Sequence, residues 1–299
     1  MHPARIAELL TPFLGESESR FGAREADKLT SDDFRHISMY IDLLQRWNAR
    51  INLTAVRDPQ EIVTRHFGES LFAARQLFVK RSFGARPSVE RAELNDSGKS
   101  NESGKPDQTG KSAERGSLRE RGTSDDCETA GDSGRAALQG GVDGEKENRP
   151  LGLAVTVADI GSGAGFPGMP IKLWAPEILL TLVESNHKKT IFLRELARAL
   201  TLMDINILNA RAESLVGRRF DIVTLRAVER FESSLPIAAG LVAPAGRLAL
   251  LISTAQLSSA KAALSQLALR HPEWSNPTWQ VEPIPLSDHR ILAIAHIDG

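Results

Sequence analysis

Beyond residue 150 the apolar positions come in two kinds of spacing. Short runs rich in Val, Ile and Leu are too brief for helices and read as buried strands, at 155–160, 178–184, 205–209, 220–225, 246–252, 278–283 and 291–296. Between them, three- and four-residue spacing predicts helices over 167–175, 187–202, 231–242 and 256–270. Strands alternating with helices predict a Rossmann-like α/β fold, a seven-stranded and mainly parallel sheet with helices on both faces. The final two strands are joined by a link containing Pro283 and Pro285. It is too short for a helical crossover, so this pair is expected to run antiparallel at one edge.

The first 80 residues have only the helical period. Ile6, Leu9, Leu10, Phe13 and Leu14 suit a short helix, and Phe34, Ile37, Ile41 and Leu44 mark a second, capped by Ser31 or Asp32. Asp58-Pro59-Gln60-Glu61 is a strong helix start, with a side-chain acceptor, a proline at the first position and an acid soon after. The helix it opens turns Ile62, Val63, His66, Phe67, Ser70 and Leu71 towards a core. Residues 1–80 are therefore expected to form a helical cap on a domain spanning 151–299.

Residues 81–150 have no period at all. They hold 11 of the chain's 23 glycines and 9 serines but only 13 apolar residues, with charges alternating in sign. Such a stretch cannot bury enough apolar area to offset its chain entropy, so a disordered insertion is expected.

Charge and cysteine content remove several functional classes. Lys and Arg number 37 against 38 Asp and Glu, a formal charge of −1, unlike a general nucleic-acid coat protein. Any RNA contact must come from a local patch. The single cysteine, Cys127, allows neither an internal disulfide nor a multi-cysteine metal site, and no metal is expected. No apolar run reaches the roughly 18 residues of a membrane span and no signal sequence opens the chain, so a cytoplasmic protein without membrane contact is expected.

The specific chemistry begins where strand 155–160 breaks into Gly161, Gly163, Gly165 and Gly168, with Pro167 placed to start a helix. Strand, glycine turn and helix build a nucleotide pocket at the carboxyl end of a first strand. Gly163-Ala-Gly-Phe-Pro-Gly168 spells the dinucleotide pattern, but its first glycine comes two residues late. Asp159-Ile-Gly-Ser-Gly-Ala-Gly165 instead resembles the first motif of class I S-adenosylmethionine-dependent methyltransferases. Glu184, closing the second strand, can accept hydrogen bonds from both ribose hydroxyls of an adenosine. Ala212-Glu213, after the third strand, could place a backbone N–H and a carboxylate near adenine. Amino-group methyltransferases carry an Asn- or Asp-Pro-Pro-aromatic motif after the fourth strand, where this chain has Thr224-Leu-Arg-Ala227. Cys127 lies in the insertion, which removes cysteine-adduct methylation of pyrimidines. A ring nitrogen or an oxygen remains as the methyl acceptor.

Five ordered motifs carry a closer resemblance: Asn48 to Asp58, Arg65-His66 with Ser70, Asp159 to Gly168, Glu184 to Arg194, and Arg226-Ala227. Together they resemble the family of small-subunit (16S) ribosomal RNA guanine-N7 methyltransferases, also called glucose-inhibited division protein B. The resemblance implies S-adenosyl-L-methionine as cofactor and ribosomal RNA or the small ribosomal subunit as partner. It implies cofactor contacts at Gly161, Phe166, Ala212, Glu213 and Arg226, to which the loop and strand ends add Asp159, Gly163 and Glu184. Catalysis is expected to rest on alignment without a general base, with Arg226 positioning cofactor or substrate. Arg46, Arg50 and Arg65 on the cap, with Lys188 and Lys189 after Glu184, are the expected RNA contacts. His66 is expected in the core, without a catalytic role. The alternatives are a small-molecule O- or N-methyltransferase of this fold, a non-catalytic RNA-binding factor and, more distantly, a nicotinamide-dependent oxidoreductase. Deleting residues 84–148 is predicted to leave methyl transfer nearly intact; loss of folding or of activity in the shortened protein would refute the reading of the insertion.

Overall fold

Alternation within each strand decides how the sheet is clothed. In a computed structural model, which describes residues 1–15, 29–78, 154–227, 231–271 and 274–297, neighbouring strand positions point to two separate cores. Val157, Leu180, Leu182 and Ile222 enter one, while Ala158, Val183, Val223 and Leu225 enter the other. Burial on both faces is why these strands read as apolar runs rather than alternating ones.

The strands are β1 (Thr156–Ile160), β2 (Leu179–Glu184), β3 (Ile205–Asn209), β4 (Phe220–Arg226), β5 (Val242–Ser253), β6 (Thr278–Pro283) and β7 (Arg290–Ile297). Their order across the sheet is β3-β2-β1-β4-β5-β7-β6. All pairings are parallel except β5 with β7 and β6 with β7. The order reverses between β1 and β4, which opens a crevice at their carboxyl ends.

The helices are α1 (Pro3–Leu14), α2 (Ser31–Asn48), α3 (Pro59–Glu61), α4 (Glu69–Phe78), α5 (Gly168–Trp174), α6 (His187–Ala199), α7 (Phe231–Gly240) and α8 (Leu257–Arg270). Buried residues of α7 and α8 cover one face of the sheet. The other face is covered by α5 and α6 together with α1, α2 and α4, so the N-terminal helices share a core with the strands. The expected insertion, 81–150, lies outside the described residues.

Several boundaries depart from the periodicity for local reasons. Thr30, not Ser31 or Asp32, caps α2, exchanging hydrogen bonds with Asp33 in a capping box. Pro167 sits one residue before α5, rather than opening it. Helix α6 stops at Ala199 because Thr201 turns to a positive φ of 50°. Strand β5 starts four residues early, since Ala243-Pro-Ala-Gly246 continues it through a register shift, with Ala245 at φ 60°. The largest departure lies between α3 and α4, where Ile62–Gly68 is π-helical. Such wide turns gather at functional sites. At its end, a Cβ on Gly68 would lie 2.6 Å from the Phe13 ring of α1, so only glycine admits this packing.

Tyr40 carries the N-terminal helices to the glycine turn. Fully buried on α2, it donates its hydroxyl hydrogen to the Ala164 carbonyl at 2.5 Å. Its ring stacks on Phe166 with centroids 5.2 Å apart and meets Phe67 edge-on at 5.0 Å. Gly165, at φ +93°, cannot carry a side chain because a Cβ would lie 2.5 Å from the Tyr40 hydroxyl. Tyr40→Phe strands the buried Ala164 carbonyl and is expected to lower stability by about 1–3 kcal/mol, read from urea unfolding.

Candidate active site

Above the carboxyl ends of β1, β2 and β4 lies a cleft of about 720 Å³, within the range of small-molecule sites. The glycine turn forms its floor. Gly161 and Gly163 have φ values of 69° and 56°, the left-handed region glycine tolerates best. A Cβ on Gly163 would meet nothing nearer than the Gly161 carbonyl at 3.7 Å, so the backbone there is bare towards the cleft.

One wall is the end of β2. Glu184 is buried and lines the cleft. Its carboxylate accepts from the N–H of Gly163 at 2.9 Å and from that of Asn186 at 2.7 Å. Each oxygen keeps a further lone pair, so the group can still accept from a vicinal diol while holding two turns together. Ala212 and Glu213, on a short 3-10 turn after β3, also line the cleft.

Opposite stand Phe166, His66 and Arg226. His66 stacks on Phe166 with centroids 4.8 Å apart, and the Arg226 guanidinium carbon lies 6.0 Å from the same ring. Arg226 is nearly enclosed, its Nε and Nη2 donating to one oxygen of Glu69 at 3.3 and 3.1 Å. Its Nη2 also reaches the Arg65 carbonyl at 2.8 Å and His66 Nδ1 at 3.1 Å. Arg290 on β7 donates to the same Glu69 oxygen at 3.0 Å. Burial lowers the Arg226 pKa, and the charge of Glu69 opposes that.

A guanidinium has donors only, so His66 Nδ1 must be the acceptor and the ring hydrogen sits on Nε2. Burial, then the charges of Arg226 and other arginines, lower the His66 pKa to about 3. The imidazole is neutral and has no lone pair free to take a proton.

The cleft gathers Gly161, Gly163, Phe166, Glu184, Ala212, Glu213 and Arg226 of the residues expected from sequence. Asp159 is the exception. It is wholly buried beneath the turn, accepting from the Thr224 hydroxyl at 2.8 Å and the Gly168 N–H at 3.2 Å. Burial raises its pKa to about 6, partly offset by the bonds from Thr224 and Gly168. Its role is to brace the turn from below.

The expected RNA-binding residues divide. Lys189 lines the cleft, and Lys188 is exposed beside it on α6. Arg46 and Arg50 are exposed outside the lining, while the Arg65 side chain pairs with Glu61 at 2.6 Å. Arg211, not singled out from sequence, also lines the cleft. Glu69 was missed as well, although an acid on the apolar face of a helix is a signal that it has a buried partner. The stretch Asn48–Asn52, read as a polar break, hides a clamp. Asn48 accepts from the N–H of Leu53 and Thr54 and donates to the Thr54 carbonyl, which fixes a loop along the cleft edge.

The two shifted groups predict opposed pH dependences. His66 binds a proton near 6.5 when unfolded but only near 3 when folded, so its stabilisation is full above 6.5 and lost as pH falls towards 3. Asp159 is the reverse: it contributes below 3.8 and loses that contribution as pH rises through about 6. Between 3.8 and 6 the two slopes oppose. In urea midpoints across that window, His66→Gln should make stability fall more, or rise less, with increasing pH than in the parent. Asp159→Asn should do the opposite; parallel profiles for all three proteins would contradict both assignments.

Comparison with known proteins places this cleft in a family. Residues 33–83 and 146–273 match the family model described as rRNA small subunit methyltransferase G. The ribosomal RNA small subunit methyltransferase G of Xanthomonas campestris pv. campestris (strain B100) is 28% identical over 225 residues, spanning 75% of this chain and 71% of that protein. The Roseiflexus castenholzii protein of the same name is 30% identical over 207 residues, 67% of this chain and 57% of its own. Among solved structures, M. jannaschii TYW2 in complex with AdoMet aligns with a TM-score of 0.42 at 14% identity, covering 48% of this chain and 69% of that one. The chain belongs to the rRNA small subunit methyltransferase G family and is an enzyme that methylates small-subunit ribosomal RNA.

Proposed function

We propose that this enzyme transfers a methyl group from S-adenosylmethionine to N7 of a guanine in small-subunit (16S) ribosomal RNA, in the cytoplasm. The observation that carries the choice of atom is the occupied imidazole. His66 Nδ1 accepts from Arg226 and Nε2 is protonated, so the residue best suited to general-base work has no lone pair to offer. An acceptor that had to lose a proton would find no such base beside Phe166 and Arg226. Guanine N7 has a lone pair and no proton, and needs none removed.

The residues fit the donor. Glu184 can accept from the ribose hydroxyls, the bare backbone at Gly161 and Gly163 lets the chain of the donor pass close, and Ala212-Glu213 lies where an adenine would follow. Phe166 and Arg226 flank the remaining space. S-adenosylmethionine supplies a sulfonium-bound methyl, and on transfer the N7 lone pair forms the new N–C bond while the S–C electron pair stays on sulfur. The positive charge thus passes from sulfur to the guanine ring. This chain's residues align the two partners, and alignment alone can contribute about 7–11 kcal/mol when geometry is good. Lys188, Lys189 and Arg211 at the cleft supply phosphate contacts that hold the RNA without reading its sequence.

Incubation with labelled S-adenosylmethionine and unmodified small-subunit particles, or their naked RNA, should place label on one guanine that becomes sensitive to N7-specific chain cleavage. Label in a small-molecule extract but not in RNA, or label resistant to that cleavage, would defeat the assignment.

A further inference from the structure

We propose that the Thr54 hydroxyl is a hydrogen-bond donor held in fixed polarity towards the cleft, and that it selects guanine by donating to O6. This rests on the guanine-N7 reading above and assigns its base selectivity to one side chain.

The polarity follows from a chain of hydrogen bonds that starts at Arg226, whose Nη2 shares its two hydrogens among three acceptors. Glu69 and the Arg65 carbonyl hold Arg226, whose guanidinium can only donate. Nδ1 of His66 must therefore accept, and Nε2 must carry the hydrogen. That hydrogen goes to Thr54 Oγ1, 2.7 Å away. The same oxygen accepts from the Val56 N–H at 3.1 Å. A hydroxyl accepts twice and donates once, so both acceptor positions of Thr54 are taken. Its own hydrogen is left, and no acceptor for it lies within hydrogen-bond distance among the described residues. Thr54 is half-buried and lines the cleft, on the loop that Asn48 clamps. What the cleft receives there is a donor, not a rotatable hydroxyl able to play either part.

Purines differ at the position beside N7. Guanine presents two acceptors, N7 and O6, whereas adenine presents N7 beside the N6 amino donor. A donor aimed at N7 would occupy the lone pair that has to attack the methyl group, which leaves O6. Against adenine the same hydroxyl would face an amino group, donor to donor, and a buried pair of that kind rejects the wrong base strongly. A serine or threonine with a free acceptor position could rotate and accept from N6; this one cannot. The device selects the base and leaves the rate of methyl transfer to alignment.

The test compares the full-length enzyme with Thr54→Val and Thr54→Ser on small-subunit particles reconstituted with the target guanine or with 2-aminopurine, which lacks O6. The parent enzyme is expected to lose about tenfold in kcat/KM when O6 is removed, the scale of one hydrogen bond. Thr54→Val should lose about tenfold on guanine and little more on 2-aminopurine, while Thr54→Ser keeps the parent's discrimination. Calorimetry should give all three the same affinity for S-adenosylmethionine. A parent enzyme indifferent to the loss of O6 overturns the proposal without any variant, so a Thr54→Val protein that fails to fold does not shelter it. Undiminished discrimination in Thr54→Val overturns it too, as does a loss of cofactor affinity in that variant, which would turn the hydroxyl towards the methyl donor. Absence of N7 label from guanine particles with the parent enzyme removes the functional reading itself, and is distinguished from those failures because it precedes any comparison of bases.

Discussion

One buried carboxylate holds a wall of this cleft together. Glu69 opens α4, and a single one of its oxygens receives Arg226 from the end of β4 and Arg290 from the start of β7. Two cations on one carboxylate leave the cluster with an excess of positive charge. Part of it is spread over the Arg65 and Leu251 carbonyls, which accept from Arg226 and Arg290. Taking such charges out of water costs several kcal/mol per ion, and well-packed apolar groups of similar size are often at least as stabilising. What the ions provide is direction. They fix the guanidinium plane of Arg226, and through it which nitrogen of His66 is protonated.

The surroundings explain how that cost is tolerated. The arginine and histidine sit over Phe166, itself stacked on Tyr40 and met edge-on by Phe67. This aromatic group belongs to α2, the π-helical stretch and the glycine turn at once, so the N-terminal helices build one wall of the cleft. Burial keeps the Tyr40 phenol well above its ordinary pKa and hence a hydrogen donor to the turn. The same burial that penalises the charges also makes their hydrogen bonds stronger and more directional.

Much of this was legible as pattern. The strands at 155–160, 178–184, 220–225, 246–252 and 291–296 were visible because apolar residues on both faces leave a continuous run, and the glycine turn because its spacing differs from the dinucleotide one. Glu184 was legible for its place at a strand end. Asp159 was expected beside the cofactor, but sequence does not tell which way a strand-end side chain turns, and it lies buried beneath the turn, bonded to Gly168 and Thr224. Glu69 escaped for a different reason. Its partners lie 157 and 221 residues away, and no local spacing encodes a bond across that distance. The π-helical stretch escaped because the apolar positions of Ile62, Val63, His66 and Phe67 fit an ordinary helix equally well. Thr54 looked like one residue of a loop, since its value lies in which hydrogen bonds it has already spent.

The bond from Arg290 to Glu69 has a further meaning in time. Synthesis runs from the N-terminus, and β7 is made after every other strand of the sheet. Until β7 slots between β5 and β6, Glu69 lacks one of its two cations and the edge of the sheet beside β5 is open. The loop that must close is among the longest the chain can form, a contact that arrives late in folding rather than early. Nascent protein therefore carries an unfinished cleft wall until β7 docks and Arg290 reaches Glu69.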